Sequence, residues 1–361
     1  MCKPFQMLFN DEQKIIYKNT ADLPQLQSGE ILVKNKYTTL CGSDIHTYTG
    51  KRKEPSPIIL GHEIVGEIVE LGSAVPFYDL KGNVLNIGDQ VTWTIFAVQN
   101  EDEFAEENIP QKSAQLFKYG HVKCSETNTY NGGMATHCLL REGTGILKIP
   151  STIPLKLAPI INCAVATVMA GFRIADPVSQ KNVLIIGAGV LGLVASAFAK
   201  ISGAASITLM DIDDQRLDYS KRFGADFIYN GLNENHNIKE ITDRFYKKGF
   251  DVIIDMSGSW DAMKMGIELS AVGAQNIWIG GVTPMPDLPL DPEQIIRKLL
   301  TIKGMHNYNY DDFINAVDLM EKHHADFPFI ELIEAEFPLE QTKKAFDYAV
   351  ENKPYRVVIS N

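Results

Sequence analysis

Two textures of apolar and polar positions divide the chain. Up to about residue 150, apolar residues alternate with polar ones in short runs broken by Gly, as in EILVKNKY from Glu30, HEIVGEIVELG from His62 and VLNIGDQVTWT from Val84. A period of two with many β-branched residues predicts strands. From Asn182 the pattern changes. NVLIIGAG, SITLMDID, DVIIDMSG, AQNIWIGG and TIKGMHNY are apolar strand-like runs, and VLGLVASAFAKISG and DDQRLDYSKRFG between the first of them read as helical. That alternation predicts an α/β domain, a parallel sheet built from βαβ units. After about Asp326 the runs shorten again in FIELIEAEFPL and the final YRVVIS, so the tail is expected to return to the first domain. The boundaries that follow are 1–152 completed by 326–361, and 153–325. One segment fits neither texture: QNEDEFAEENIPQK from Gln99 is too polar for a core and is expected to form a surface lobe or loop.

Composition narrows the function more than the fold. A chain of 361 residues, 45% hydrophobic and 22% charged, fits a soluble globular protein with two cores. A formal net charge of −11 argues against a nucleic-acid backbone or an anionic membrane as partner. No apolar run approaches the roughly 18 residues of a membrane span. The opening MCKPFQMLFNDEQK has no long apolar core and no small-residue cleavage pattern, so no secretory signal is expected. Five cysteines, at 2, 41, 124, 138 and 163, are scattered and odd in number, which fits a reducing cytoplasm better than a disulfide framework.

The run NVLIIGAGVLGLV places Gly187, Gly189 and Gly192 as GxGxxG between an apolar strand and a helix. That context makes an otherwise weak motif informative. Gly187 would permit the tight turn, Gly189 the approach of backbone to a pyrophosphate, and Gly192 the packing of helix on sheet, with Val190 and Leu191 opening the helix at the phosphates. The next strand ends in Asp211, whose carboxylate can accept from a ribose diol. It would repel a 2′-phosphate by roughly 1 to 4 kcal/mol per charge pair at contact, which favours NAD over NADP. Arg216, nearby, could offer positive charge to a ribose or phosphate.

The stretch CGSDIHTYTG from Cys41 and GHEIVGEIVE from Gly61 place a cysteine, histidines and acids close together in a chain with 5 Cys and 8 His. Cys41 and His62 are zinc-ligand types on separate segments. Asp44 could hold the far nitrogen of His62, as carboxylates do for zinc-bound histidines. Glu63 could be a ligand, a transient ligand or a supporting group. Cys163, in NCAVATVMAGF, is a further candidate, although spacing alone does not select it over Cys124 or Cys138. As ordinary side chains, a Cys would be a small buried hydrophobe and a His a satisfied polar residue.

Taken in order, Cys41-Gly-Ser-Asp-Ile-His46, Gly61-His62-Glu63, the Gly88-Asp89-x-Val91 turn, Cys163 with Thr167, the Gly187 fingerprint with Asp211, and Arg356 in YRVVIS resemble the zinc-dependent medium-chain alcohol dehydrogenases. The resemblance runs nearly the whole length. It implies a GroES-like β-barrel catalytic domain completed by the C-terminal tail, a Rossmann domain, and a cleft between them. It implies zinc ligands Cys41, His62 and Cys163 with Glu63 close by, Ser43 at the substrate hydroxyl, and His46 passing its proton outward. Thr167 would lie by the nicotinamide and Arg356 would face the pyrophosphate. The implied reaction is hydride transfer between a small alcohol and NAD, giving an aldehyde or ketone. Homodimers or homotetramers are implied too, with AQNIWIGG as an expected contact strand.

One departure concerns a second, structural zinc that many relatives hold in a lobe through four cysteines. The corresponding positions here are Gln99, Asp102, Ala105 and Ser113, so one catalytic zinc per chain is expected and the structural zinc is not. Within the family, CGSDIHTYTGKRKEPSPIILGHEIVGEI and KYGH, Lys118 to His121, look most like a subgroup associated with phosphonate catabolism, and Lys51 and Arg52 could steer an anionic substrate. The competing expectations are a zinc-free reductase of quinones or enoyl thioesters on the same scaffold, and a nucleotide-binding protein without turnover.

Overall fold

A computed structural model describes residues 3–10, 14–20, 22–73, 76–98, 102–232, 238–281 and 286–361. The chain forms two compact units, Met1–Ala166 with Asn309–Asn361, and Thr167–Tyr308. These junctions lie later and earlier, respectively, than the 152/153 and 325/326 read from sequence texture. The reason at the second junction is the helix Tyr310–His323, whose N-terminal Asn309 donates to Asn108 O at 3.1 Å and whose Tyr310 hydroxyl donates to Gly143 O at 3.2 Å.

The first unit is mostly strands. A two-stranded antiparallel pair, β1 (Phe5–Asn10) and β2 (Ile15–Thr20), stands beside an eight-stranded sheet. That sheet contains β3 (Ile31–Thr39), β4 (Glu63–Leu71), β5 (Gln90–Val98), β6 (Leu116–Lys118), β7 (His137–Leu140) and β8 (Thr144–Lys148). The strand written from Val84 begins instead at Gln90, because Gly88 takes φ +94° and the chain turns there. Nearly all of β5 is buried, with Trp93 and Ala97 in one apolar cluster with Ile31, Val33, Ile64, Ile68 and Tyr119.

The second unit holds a six-stranded parallel sheet of β9 (Asn182–Ile186), β10 (Ser206–Asp211), β11 (Phe227–Asn230), β12 (Phe250–Asp255), β13 (Ser270–Trp278) and β14 (Thr301–Gly304), in the order β11-β10-β9-β12-β13-β14. Apolar runs such as Val183–Ile186 are buried along their length, as strands covered on both faces must be. The order reverses at β9, and such switch points open crevices at the carboxyl ends of strands. AQNIWIGG belongs to β13, which pairs with β12 on one side and β14 on the other. Its backbone groups are therefore used within the sheet, so it is not the sheet edge it was expected to be: among the described residues the edges are β11 and β14.

The last two strands, β15 (Ile333–Pro338) and β16 (Arg356–Ser360), return to the first unit, where β16 pairs antiparallel with β3. This return carries Arg356 to the inner end of β4, where Glu63 stands.

Candidate active site

Three segments of the first unit converge. Cys41 precedes the short helix Gly42–Tyr48, and Asp44 folds back within it so that its Oδ2 accepts the Cys41 amide at 2.9 Å. The other oxygen, Oδ1, accepts the Gly61 amide at 3.1 Å, tying the Cys41 turn to the chain entering His62. The same oxygen lies 3.6 Å from His62 Nδ1, which orients the ring with Nε2 turned away from Asp44. Cys163 lies in a wide π-type turn, Ile161–Val165, a local helix distortion common at functional sites. Its neighbour Asn162 donates to His62 O at 3.0 Å and to Trp93 O at 2.8 Å, so one buried amide fixes this turn against two strands.

The outcome is a compact donor set. One ligand atom each from Cys41, His62 and Cys163 lies within 4.8 Å of the others. Ligand atoms held at about 2.0–2.3 Å by a tetrahedral zinc are roughly 3.3–3.8 Å apart, so modest closure suffices and the residues fit that ion. Their chemistry fits as well. The hydrogen bond from Cys163 most strongly lowers the pKa of the Cys41 thiol, overcoming burial, with help from His62 and Arg356. The same bond, with burial, pushes Cys163 up. Burial opposes the imidazolium of His62, but Asp44 and Cys41 outweigh it and raise its pKa to about 10. The set thus already gathers negative charge on sulfur where a cation would sit.

Glu63 is engaged elsewhere. Its Oε1 accepts Arg356 Nη2 at 2.9 Å, and its Oε2 accepts Arg356 Nε at 2.9 Å and the Thr39 hydroxyl at 2.5 Å. Both partners are buried, at 0% and 7% exposure, so the ion pair depends on its two parallel hydrogen bonds. Burial pushes the Glu63 acid up and Arg356 opposes that push.

Ser43 and His46, three residues apart, share a face of the helix Gly42–Tyr48. Ser43 is half-buried and His46 exposed. Partial desolvation of its ring, then Lys51, lowers the His46 pKa, so its neutral, proton-accepting form persists below the usual range. Beyond it, Glu54 accepts from Arg52 Nε at 2.8 Å and pairs with His121 Nδ1 at 2.9 Å, and the His121 ring lies 5.0 Å from that of His62. Half-buried Lys118 stands in electrostatic range of Arg52, Cys163 and Glu54. The sequence motif KYGH therefore borders the donor set.

In the second unit, β9 turns at Gly187, which takes φ +102°, and enters the helix Val190–Ile201 after Gly189. A Cβ on Gly192 would stand 1.7 Å from Gly187 O, so only glycine allows this close crossing. Asp211 ends β10 with its carboxylate accepting the amides of Ala188, Ile212 and Asp213, which aims it at the glycine turn. Arg216 Nη1 would stand 3.9 Å from a Cβ on Gly189. Val190 and Leu191 form the first turn of the helix, and Thr167 is buried near the start of the helix Ala166–Ile174. These features fit a dinucleotide: a glycine turn, amides at a helix start and an acid at the next strand end.

Sequence reasoning missed Asn162 and Asp255. The buried Asp255 carboxylate collects Ser257 N at 3.2 Å, Ser257 Oγ at 2.6 Å and Gly258 N at 3.0 Å, shaping the turn against which Gly187 packs. A polar residue inside an apolar run was the available signal in both NCAVATV and DVIIDMSG.

Comparison with known proteins agrees with this geometry. Residues 27–151 match the family model of the alcohol dehydrogenase GroES-like domain, and residues 190–322 match that of zinc-binding dehydrogenases. D-arabitol-phosphate dehydrogenase of Enterococcus avium is 31% identical over 345 residues, covering 94% of this chain and 92% of the relative. The chain belongs to the zinc-binding medium-chain alcohol dehydrogenases. L-threonine 3-dehydrogenase of Yersinia pestis is 26% identical, with 96% of each chain covered. An alcohol dehydrogenase structure from Thermotoga maritima superposes with a TM-score of 0.92 at 25% identity, covering 100% of both chains. The first unit is accordingly the GroES-like domain and the second sheet the Rossmann-like one. The enzyme is an oxidoreductase of the EC 1.1.1 class, and Cys41, His62 and Cys163 form its catalytic zinc site. Among the described residues no helix is long and apolar enough to cross a membrane.

Proposed function

We propose that this dehydrogenase oxidises a small alcohol bearing a phosphate or phosphonate group, with NAD as hydride acceptor. The observation that carries the reading is the basic edge beside the donor set: Lys51 and Arg52 after the first ligand segment, and Lys118 on β6 within electrostatic range of Cys163. Glu54 is shared by Arg52 and His121, and burial lowers the Lys118 pKa, so the basic side chains there are placed to gain from an anionic partner. The sequence likeness to an arabitol-phosphate enzyme supports the same substrate class.

Zinc held by Cys41, His62 and Cys163 would supply Lewis acidity towards an alcohol oxygen, and NAD the hydride acceptor. The protein does the rest. Asp44 fixes the His62 ring, and Asn162 fixes Cys163. Glu63 serves as a charged neighbour whose place is set by Arg356 and Thr39, and Arg356, whose Nη1 also donates to Tyr355 O at 3.0 Å, is assigned to the cofactor pyrophosphate. Ser43 takes the alcohol proton and His46 passes it to solvent. Thr167, Gly187, Gly189, Val190, Leu191 and Gly192 hold the dinucleotide, with Asp211 on the ribose diol and Arg216 beside it. The zinc-free reductase reading is disfavoured because it provides no use for the three converging donors. The assembly is assigned as a homodimer or homotetramer joined at β14, an edge of the sheet among the described residues, next to Ile296 and Leu299, each 71% exposed. Free Cys41, Cys124, Cys138 and Cys163 support a cytoplasmic location.

The test is a kcat/KM comparison of polyol phosphates, hydroxyalkyl phosphonates and their uncharged counterparts with NAD and with NADP. The reading expects the anionic alcohols with NAD to lead and Lys118→Met to erase their lead while leaving the uncharged alcohols unchanged. Equal rates for charged and uncharged alcohols would overturn the substrate class, and equal rates with NADP would overturn the cofactor assignment.

A further inference from the structure

The lobe that follows β5 is where the fold family places a structural zinc, and its residues do not fit that ion. Of the four positions, Gln99 lies outside the described residues, and Asp102, Ala105 and Ser113 offer one carboxylate, one methyl and one hydroxyl, with no thiol or imidazole among them. Tight structural sites are built from Cys and His.

These three positions are nevertheless joined. Asp102 Oδ1 accepts the amide of Ala105 at 3.1 Å, and Asp102 Oδ2 accepts the Ser113 hydroxyl at 2.7 Å and the Ala114 amide at 3.2 Å. Asp102 is also the N-cap of the short helix Glu103–Glu106. Ser113 is buried, at 6% exposure, and its hydroxyl oxygen further accepts the Gln115 amide at 3.3 Å. The lobe's far end is pinned independently: Asn108 Nδ2 donates to Asp311 at 3.1 Å, and Asn309 donates to Asn108 O.

We propose that the Asp102 carboxylate replaces the structural zinc as the node that closes this lobe, linking its entry at residues 102–105 to its exit at 113–114 through hydrogen bonds alone. The geometry points to substitution of a function and not merely its loss, because one side chain gathers the three described positions that a metal would have gathered. Charge-assisted bonds to a carboxylate are the stronger class of hydrogen bond, which suits a cross-link between segments otherwise free to separate. The donors also leave their mark on the acid: Ser113 first, then the amides of Ala105 and Ala114, hold the Asp102 carboxyl below its usual range. The inference is independent of the substrate reading above and needs no substrate to test.

The experiment is hydrogen exchange and metal counting on the full-length, zinc-replete enzyme, its Asp102→Ala variant and its Ser113→Ala variant. Asp102→Ala should speed exchange at the Ala105 and Ala114 amides by about fivefold or more, the loss expected for a removed N-cap acceptor. Ser113→Ala should produce a smaller increase confined to residues 113–115. Both variants should keep the zinc content of the unaltered enzyme. Unchanged exchange in Asp102→Ala would overturn the proposal, as would loss of one zinc per chain from either variant. Should Asp102→Ala not fold, Ser113→Ala carries both readouts alone.

Discussion

The donor set and the lobe both join distant stretches of the first unit, yet by opposite means. Around Cys41, His62 and Cys163 the donors are two half-buried thiols and a buried imidazole, while their supports, Asp44 and Asn162, are bonded to backbone. Around Asp102 the acceptor is a hard, half-buried carboxylate, and every partner is a hydrogen-bond donor. The first arrangement holds its sulfur charge against a histidine and a second thiol, both of which are zinc-ligand types. The second satisfies its own charge. A metal site is thus distinguished less by the number of polar groups that converge than by their type, thiol and imidazole in one place and a carboxylate with amide and hydroxyl donors in the other.

This contrast can be broken by mutation, and the largest effect is expected at the support that completes the donor set. Asp44→Asn keeps the shape but removes the charge facing His62 and weakens the tie to the Cys41 and Gly61 amides. Zinc affinity or activity should fall by about 10- to 100-fold, the range usual for partners of ligating histidines. Measured zinc dissociation that matches the unaltered enzyme would show that Asp44 is only a helix-capping residue.

A smaller effect is expected at His46, on the same helix but outside the donor set. Partial desolvation and Lys51 lower its pKa, so as pH rises the neutral, accepting form is reached earlier than in an ordinary histidine. His46→Gln should therefore slow alcohol oxidation by about tenfold near neutral pH, with recovery as alkaline solvent takes the proton. Zinc content should not change. A pH–rate profile parallel to that of the unaltered enzyme would remove His46 from the proton path, and loss of zinc would move it into the donor set.

How much of this was legible beforehand follows from sequence distance. Cys41, Asp44 and His62 lie within one stretch, and Asp44 supplied a reason to link the other two. Cys163 was visible only through family resemblance, because the chain between it and His62 carries the rest of the β-rich half. The alternatives dissolve in three dimensions: Cys138 is fully buried in β7 beside Val33, and Cys124 accepts from Gln6 in an apolar cluster. The parallel strands were legible because burial on both faces leaves uninterrupted apolar runs. The short strands β6, β7 and β8 were not, since three to five residues carry too little pattern. The helix Tyr310–His323 shows apolar residues at 313, 316, 317 and 320, but nothing in that pattern says which unit it packs against. The Asp102 node was illegible for a different reason. Absence of cysteines can be read from sequence, whereas a hydrogen bond across eleven positions cannot.

Metal stoichiometry tests the account most directly. Elemental analysis of purified, zinc-replete enzyme should give one zinc per chain, and Cys163→Ser should lose that zinc together with activity while the 102–115 segment keeps its exchange protection. Two zincs per chain, or one zinc that survives Cys163→Ser and leaves with Asp102→Ala, would contradict it.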